Sequence, residues 1–194
     1  MKQPLVIKVG GSLFSQPHLF PILKTWIQDT ARTRDDCSVA VIAGGGSLVD
    51  VVRNWHADFD LTEDFSHQMA CGLMSATAQL LGHLLELPIV AAADRESVPI
   101  AVHDLSGWAV DSDELPRRWD VTSDSIAASY AKSIAAAELI LVKSSAPETR
   151  IVGELATKGY VDGHFPVAAL GLPAILAVYS ESGSGEMLET IVHL

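Results

Sequence analysis

The segment Leu5-Val6-Ile7-Lys8-Val9-Gly10-Gly11-Ser12 begins as an apolar run and ends in a glycine turn. The segment Val39-Ala40-Val41-Ile42-Ala43-Gly44-Gly45-Gly46-Ser47 repeats this pattern further along the chain. In each segment the short β-branched run predicts a buried strand, and the glycines allow a tight turn into the next helix. Because strands and helices alternate, we predict an open, mainly parallel α/β sheet with helices on both faces.

The rest of the chain continues this alternation. Apolar residues at helical spacing predict helices near 19–27, 48–55, 63–87, 122–137 and 165–171. Short apolar runs predict further strands at 89–93, 100–102, 139–142 and 174–178. Residues 103–121 and 144–163 are rich in turn formers, and the first of them is predicted to be a polar surface segment. A Ser/Gly-rich tail follows at 181–186.

Charge and length limit the class of protein. The 194 residues include 13 Lys+Arg and 24 Asp+Glu, which gives a formal net charge of −11. We expect no nucleic-acid partner, because clustered Lys and Arg are needed to hold phosphate backbones, whereas a small phosphorylated ligand needs only a local positive site. A chain of this length buries a sizeable core, so we expect residues 1–194 to form one domain. With no apolar stretch of membrane-spanning length and no signal-peptide pattern, we expect a cytoplasmic protein without a membrane partner.

Several motifs of known chemistry are missing from the sequence. It has no GxxxxGK[ST] loop, HExxH, EF-hand loop or GxSxG, so it gives no support to a P-loop NTPase, a metalloprotease or a serine hydrolase. Cys37 and Cys71 form no CxxC pair, and we interpret both as buried thiols. We expect no protein-bound metal.

Three charged residues mark a possible reaction centre. Lys8 interrupts an apolar strand, which suits either a lysine that meets phosphate oxygens or an edge-strand lysine that extends to water. Lys143 follows the apolar run 139–142 and is either a second cation at the same end of the sheet or a solvated strand end. Asp124, in the first turn of a predicted helix, either complements the helix dipole or orients the two lysines.

Other polar residues have simpler interpretations. A histidine on a helix, such as His67, more often serves packing than binding. His103 and Asp104 follow a predicted strand, where ligand contacts are common. Asp111, Asp113 and Glu114 are most simply part of a solvated loop.

Three motifs in order resemble the amino acid kinase superfamily over residues 5–145. Residues 6–13 are similar to its opening strand and loop, and residues 41–46 to its second glycine loop. Val121-Thr122-Ser123-Asp124-Ser125-Ile126-Ala127-Ala128 resembles its NADxxAxxxA helix start. Residues 119–125, Asp50, Arg53, His67 and the segment from Tyr160 to Pro166 further resemble the branch of (aminomethyl)furanmethyl-phosphate kinases. That branch belongs to methanofuran synthesis and has bacterial relatives in one-carbon metabolism.

The resemblance implies a three-layer α/β/α sandwich that uses ATP, with Mg²⁺ carried by the nucleotide, on a small-molecule acceptor. It implies catalytic roles for Lys8 on the transferred phosphoryl group and for Asp124 in orienting the cations. The superfamily takes its second lysine from later in the chain, and we assign that role to Lys143 from its place after the strand 139–142. The residues assigned to the nucleotide are Gly10, Gly11, Ser12, Gly44, Gly45, Gly46 and Ser144. Those assigned to the acceptor are Gly45, Arg53, His67, Thr122 and Ser123.

The sequence departs from the superfamily after residue 142. A Thr-Asp-Val-Asp-Gly type of turn is replaced by Lys143-Ser144-Ser145-Ala146-Pro147, and Lys158 is the only later lysine. We expect a kinase for a phosphate monoester that yields a diphosphate. An amino-acid or carboxylate kinase, or a ligand-binding protein that has lost turnover, remains an alternative. We also expect a homodimer, with helix 63–87 as a candidate interface.

Overall fold

The computed structural model describes residues 3–34, 37–94, 98–180 and 186–194. Within them seven strands form one sheet in the order β3-β4-β2-β1-β5-β6-β7. All neighbouring strands are parallel except β6 and β7, which are antiparallel. The strands are β1 Leu5–Val9, β2 Val39–Ala43, β3 Ile89–Ala91, β4 Ile100–Asp104, β5 Glu138–Val142, β6 Ile175–Ser180 and β7 Met187–Val192. The prediction of an open, mainly parallel sheet is confirmed.

Helices cover both faces of the sheet. They are α1 Phe20–Thr33, α2 Gly46–Asp58, α3 Glu63–Leu85, α4 Ser106–Asp111, α5 Ser123–Ser133, α6 Val152–Thr157 and α7 Phe165–Ala168. One layer of the core joins the sheet to α1 and the C-terminal half of α3, and the other joins it to α4, α5, α6 and α7. The α/β/α sandwich is therefore the observed architecture.

Alternation along β1 decides where its lysine points. Leu5, Ile7 and Val9 belong to the core layer of α1 and α3, whereas Val6 belongs to the layer of α5. Because successive side chains of a strand point to opposite faces, Lys8 lies on the α5 side. The strand is central, paired with β2 and β5, and all five of its residues are buried. Lys8 is therefore not the edge-strand lysine of the alternative interpretation.

Three sequence predictions need correction. Residues 103–121 are not simply a surface segment, because they contain α4 and bury Leu105, Ala109 and Leu115. The prediction also missed β7, which pairs with β6. Cys71 is buried as expected, but Cys37 is only half-buried. Of the predicted tail, 181–185 lie outside the described residues.

Candidate phosphoryl-transfer site

The site forms where β1, β2 and β5 end together. Their register aligns Val9 with Ala43 on one side and with Val142 on the other. The Gly10 N–H then donates to the Val142 carbonyl at 2.8 Å, and the Gly44 N–H donates to the Val9 carbonyl at 2.8 Å. This pairing brings both glycine turns and the residues after β5 to one edge, as expected for the carboxyl ends of parallel strands.

Two lysines meet a single carboxylate at this edge. Lys8 Nζ lies 2.8 Å from Asp124 Oδ1, and Lys143 Nζ lies 2.7 Å from Asp124 Oδ2. The side chains of Lys8, Asp124 and Lys143 are only 4%, 7% and 13% exposed. The structure thus places Asp124 between the two ammonium groups, in the arrangement expected from the sequence. Their roles in catalysis stay predictions.

The charges in this cluster do not balance. Burial alone would raise the pKa of Asp124, but the attraction of Lys8 and Lys143 outweighs it and lowers that pKa to about 2. The pKa of Lys143 is lowered as well, because its ammonium is buried and faces Lys8, and the attraction of Asp124 offsets this only in part. The lowered pKa of Asp124 and the lowered pKa of Lys143 have one explanation, because two cations share one anion. The centre keeps an excess of positive charge.

Lys143 is held from a second direction. Its ammonium donates a hydrogen bond to the Tyr160 carbonyl at 2.7 Å and lies 5.3 Å from the centroid of the Tyr160 ring. The Tyr160 hydroxyl donates to the Ser145 carbonyl at 3.1 Å. These contacts keep Lys143 directed into the site.

A cavity of about 120 Å³ lies beside the start of α5, where Thr122, Ser123 and Ile126 line it. It contains all five residues that the resemblance assigned to the acceptor: Gly45, Arg53, His67, Thr122 and Ser123. Arg53 is bound to Asp50 at 2.6 Å, and its guanidinium lies 5.5 Å from the centroid of the Trp119 ring. The cavity therefore combines a half-exposed cation with an aromatic wall.

His67 forms part of the buried wall of this cavity. It is 5% exposed, and its Nε2 lies 3.5 Å from the Sγ of Cys71. Burial and the nearby Arg117 lower the pKa of His67, despite the opposing charge of Asp64, so the imidazole is neutral at pH 7. Burial raises the pKa of Cys71 to about 11, which keeps its thiol protonated. Neither residue brings a charge into the cavity.

A second and larger space is a cleft of about 510 Å³. Lys143 and Asp124 line it together with Ser12 and Ser144, two of the residues assigned to the nucleotide. The Ser12 hydroxyl donates to the Ser144 hydroxyl at 3.2 Å, so the first glycine turn and the segment after β5 are in direct contact. Trp119 and Thr122 line both the cavity and the cleft. The two spaces are therefore adjacent, and of the three charged residues Asp124 and Lys143 line the cleft while none lines the cavity.

The glycine turns approach each other closely. A Cβ on Gly11 would lie 2.3 Å from the Gly46 nitrogen, and a Cβ on Gly44 would lie 2.7 Å from the Gly11 nitrogen. Gly46 also has a φ of +59°, in the left-handed region that favours glycine. At Gly45, by contrast, a Cβ would meet the Val49 side chain. The packing of one turn against the other thus explains why positions 11 and 44 need glycine, in addition to any contact with phosphate.

Some candidate residues lie apart from this site. His103 is buried and its Nδ1 lies 2.8 Å from the Tyr130 hydroxyl, which indicates a packing role. Asp104 accepts hydrogen bonds from the Ser75 hydroxyl and the Ser106 N–H. Lys158 is about half exposed and pairs with Glu148 at 2.7 Å. Lys143, not Lys158, is therefore the second lysine at the cluster.

No individual role was predicted for Trp119, Tyr160 or Asp162, although all three lie in the resembling segments. Asp162 precedes Phe165-Pro166, and an Asp just before a helix with an early proline is a known helix-start signal. That signal predicts a local cap only. The contact of Tyr160 with Lys143 depends on tertiary structure and has no local signal.

The model of the amino acid kinase family matches residues 3–146. The chain belongs to the amino acid kinase family. This match includes both glycine turns and the three charged residues of the cluster, so the resemblance seen in the sequence is confirmed. In the described part of the chain, no helix has the length and apolar character needed to span a membrane.

Comparison with known proteins supports the same fold. The chain is 24% identical over 142 residues to the (5-(aminomethyl)furan-3-yl)methyl phosphate kinase of Methanocaldococcus jannaschii. That match covers 70% of this chain but 63% of the relative, less than two thirds of its length. Among solved structures, UMP kinase from Ureaplasma parvum aligns with a TM-score of 0.63 at 13% identity, covering 100% of both chains. Aspartate kinase from Synechocystis aligns with a TM-score of 0.64 at 12% identity, covering 98% of this chain and 40% of its own.

Proposed function

We propose that the protein is an ATP-dependent phosphotransferase that transfers the γ-phosphoryl group of ATP to a phosphate monoester, giving a diphosphate. The observation that carries this proposal is the sharing of one carboxylate, Asp124, by two buried lysines, Lys8 and Lys143. A transferring phosphoryl group spreads negative charge over its oxygens, and fixed positive charge in a water-poor site stabilises it. Lys143 and Asp124 line the cleft, and the cavity is its neighbour because Trp119 and Thr122 line both spaces.

The two spaces suit the two substrates. We place the polyphosphate of ATP in the cleft beside Lys143, with the hydroxyls of Ser12 and Ser144 as hydrogen-bond donors, and the acceptor in the cavity beside Arg53. Mg²⁺ is proposed to arrive with the nucleotide, because both oxygens of Asp124 are already engaged by lysines. Within residues 3–34, 37–94, 98–180 and 186–194, His, Cys, Asp and Glu form no group of three or more suited to a metal ion.

The protonation state of Asp124 favours an acceptor that is already anionic. With a pKa of about 2, this carboxylate is a poor proton acceptor at neutral pH. A hydroxyl acceptor needs a base to remove its proton, whereas a phosphate monoester, with a second pKa of about 6, is largely a dianion at pH 7. Asp124 is thus assigned to holding the lysines and not to moving a proton.

The name of the relative from M. jannaschii supports a more specific acceptor. The compound in that name has a furan ring, an aminomethyl group and a phosphate monoester. The cavity offers apolar walls from Val49, Ala70 and Met74, together with the cation of Arg53. Small-molecule sites commonly combine apolar walls with a few placed polar groups. We therefore propose an (aminomethyl)furan-methyl phosphate or a close analogue as acceptor, in the biosynthesis of a methanofuran-type one-carbon cofactor.

A coupled assay of ADP release tests this function. The wild-type protein is given ATP, Mg²⁺ and one acceptor at a time, from a panel of phosphate monoesters and a panel of amino acids. ADP release with phosphate monoesters only is expected, and it should be lost in Lys8→Ala but kept in Lys158→Ala, the exposed-lysine control. ADP release with amino acids only would instead indicate an acyl-phosphate kinase. ATP binding without ADP release across both panels would indicate a binding protein.

We also propose that two copies of the chain associate through α2. The expected interface on 63–87 stays a prediction, with Phe65 and Leu80 of α3 49% and 45% exposed. On and just after α2, a row of apolar side chains is 42–68% exposed: Leu48, Val51, Trp55 and Phe59. Light scattering after gel filtration is expected to show a dimer for the wild type and for Leu170→Glu, an exposed control. Trp55→Glu should yield a monomer, and a Trp55→Glu dimer would contradict this interface.

A further inference from the structure

Asp162 lies outside the lysine–aspartate cluster and accepts six hydrogen bonds. Its Oδ2 accepts from the Thr122 N–H at 3.0 Å, the Thr122 hydroxyl at 2.8 Å and the Ser125 N–H at 2.9 Å. Its Oδ1 accepts from the Ser125 hydroxyl, the His164 N–H at 3.2 Å and the Phe165 N–H at 2.9 Å. Each oxygen therefore serves three donors, and one side chain joins two segments that lie about forty residues apart.

These bonds replace the local cap of α5. Thr122 is the residue before that helix, yet its side chain makes no capping bond to the helix and donates to Asp162 instead. The first N–H groups of a helix have no partner within the helix, so an acceptor from elsewhere fixes the helix start. Asp162 supplies this acceptor for α5.

The residue fixed by this cap is Asp124. It lies between Thr122 and Ser125, both of which are bound to Asp162. Two residues before Asp162, the Tyr160 carbonyl accepts the hydrogen bond from Lys143. The segment 160–162 thus holds both partners of the Lys143–Asp124 ion pair. Its backbone holds Lys143 through the Tyr160 carbonyl, and its Asp162 side chain holds the helix start that carries Asp124.

We propose that Asp162 is a positioning residue of the phosphoryl-transfer site, which holds Asp124 between Lys8 and Lys143 through the start of α5. This inference rests on the proposed function and assigns to Asp162 a part in it. Asp162 does not touch the transferred group. It sets the geometry in which the two ammonium groups meet the phosphoryl oxygens.

Asp162 also acts on Lys143 through its charge. The groups that face the Lys143 ammonium are Asp124 of α5, Lys8 of β1, Tyr160 and Asp162. Burial lowers the pKa of Lys143 most, and the negative charge of Asp162 is one of the influences that raise it. Removal of that charge is therefore expected to lower the pKa of Lys143 further.

The test compares Asp162→Asn with Asp162→Glu and with Glu148→Gln, an exposed carboxylate that serves as control. In Asp162→Asn an amide replaces one oxygen, so three donors lose their acceptor whichever way the side chain lies. We expect kcat to fall about tenfold to a hundredfold, as for a small misplacement of catalytic groups, while KM for ATP stays within about threefold. The alkaline limb of the kcat profile should move to lower pH. Asp162→Glu keeps the charge and should keep this limb, and Glu148→Gln should match the wild type.

The opposite results overturn the proposal. If Asp162→Asn lowers only the folded fraction, while kcat per folded molecule and the alkaline limb stay unchanged, Asp162 has a structural role alone. If that variant does not fold, Ser125→Ala removes a single donor to Asp162 and should still lower kcat with KM unchanged. An unchanged kcat in that variant would count against the proposal.

A measurement without turnover separates this inference from the proposed function. NMR titration of protein with ¹³C-labelled lysine, with the Lys143 signal assigned by Lys143→Arg, reports on the site directly. In Asp162→Asn the Lys143 titration should move to lower pH, and Glu148→Gln should leave it in place. If the wild type shows no turnover but the Lys143 titration moves in Asp162→Asn, the proposed kinase function is refuted, whereas the influence of Asp162 on Lys143 is retained. Turnover without the movement, and with normal kcat in Asp162→Asn, refutes the role of Asp162.

Discussion

Replacement of Asp124 by asparagine changes one buried charge and almost no volume. In the wild type, Asp124 attracts two buried ammonium groups at 2.8 and 2.7 Å. In Asp124→Asn the two lysines keep their burial but lose their only shared anion, and the amide nitrogen is forced to face one of them. The substitution therefore leaves uncompensated positive charge in the core.

The expected loss of stability follows from the pKa of Asp124. Lowering that pKa from 3.8 to about 2 corresponds to about 2 kcal/mol of unfolding free energy at neutral pH. Breaking a buried ion pair by removing one partner costs about 3–5 kcal/mol in other proteins. We expect Asp124→Asn to lose between about 2 and 5 kcal/mol, and Tm to fall by about 4 °C or more, since each kcal/mol moves Tm by about 2–4 °C at this chain length.

The pH dependence of this loss identifies its cause. Because the pKa of Asp124 is lower in the folded than in the unfolded state, its stabilisation is present in full above about pH 4 and is lost as the pH falls through about 2. Urea unfolding of wild type and Asp124→Asn between pH 7 and pH 3 measures the difference. The gap should be constant from pH 7 to about pH 5 and should narrow below about pH 4.

Two results would refute this reasoning. A difference below about 1 kcal/mol at pH 7 would mean that the lysines do not depend on Asp124 for their burial. A difference that stays constant down to pH 3 would mean that it arises from packing and not from charge. Asp64→Asn, which breaks an exposed ion pair with Arg117, serves as control and should change stability by less than about 1 kcal/mol.

Two further pairs of substitutions test the cluster and the glycine turns. Lys8→Ala and Lys143→Ala should each reduce turnover at least about a hundredfold with a smaller effect on ATP affinity, because both act on charge that develops in the transition state. ADP release and calorimetric ATP binding measure this, and turnover within about tenfold of wild type would contradict the role. Gly11→Ala should lower Tm, because its Cβ would lie 2.3 Å from a backbone nitrogen, whereas Gly72→Ala, with open space in a helix, should raise stability by about 0.5–1 kcal/mol. Thermal unfolding compares these two, and equal effects would contradict the close packing of the turns.

The sequence predicted the centre of the fold because its signals there are local. The runs at β1, β2 and β5 are apolar except for Lys8 and Glu138, as is typical of strands covered on both faces, and glycines follow each of the first two. The alternation of side chains along β1 also places Lys8 on the α5 face. The positions of Asp124 and Lys143 were predicted from local patterns as well. The helical spacing of apolar residues placed Asp124 in the first turn of a helix, and the apolar run 139–142 placed Lys143 just after a strand.

What the sequence did not predict depends on tertiary contacts. β7 lies at the sheet edge, with side chains that are mostly half-buried or exposed, so its sequence carries no continuous apolar run. Residues 103–121 place four apolar side chains in the core, with five acidic residues among them, and this mixed pattern hides α4. Asp162 caps a helix that begins on a distant part of the chain, and local patterns do not report on such a partner. The same holds for the Tyr160 carbonyl that holds Lys143.

The central claim is that the shared Lys8–Asp124–Lys143 cluster transfers a phosphoryl group to a phosphate monoester. The most direct measurement is ³¹P NMR of the wild-type protein with ATP, Mg²⁺ and an (aminomethyl)furan-methyl phosphate. We expect the monoester signal to disappear as two mutually coupled signals of a new diphosphate appear together with ADP, and we expect Lys8→Ala to form neither product. Persistence of the monoester while ATP binds, or the appearance of inorganic phosphate alone, would contradict it.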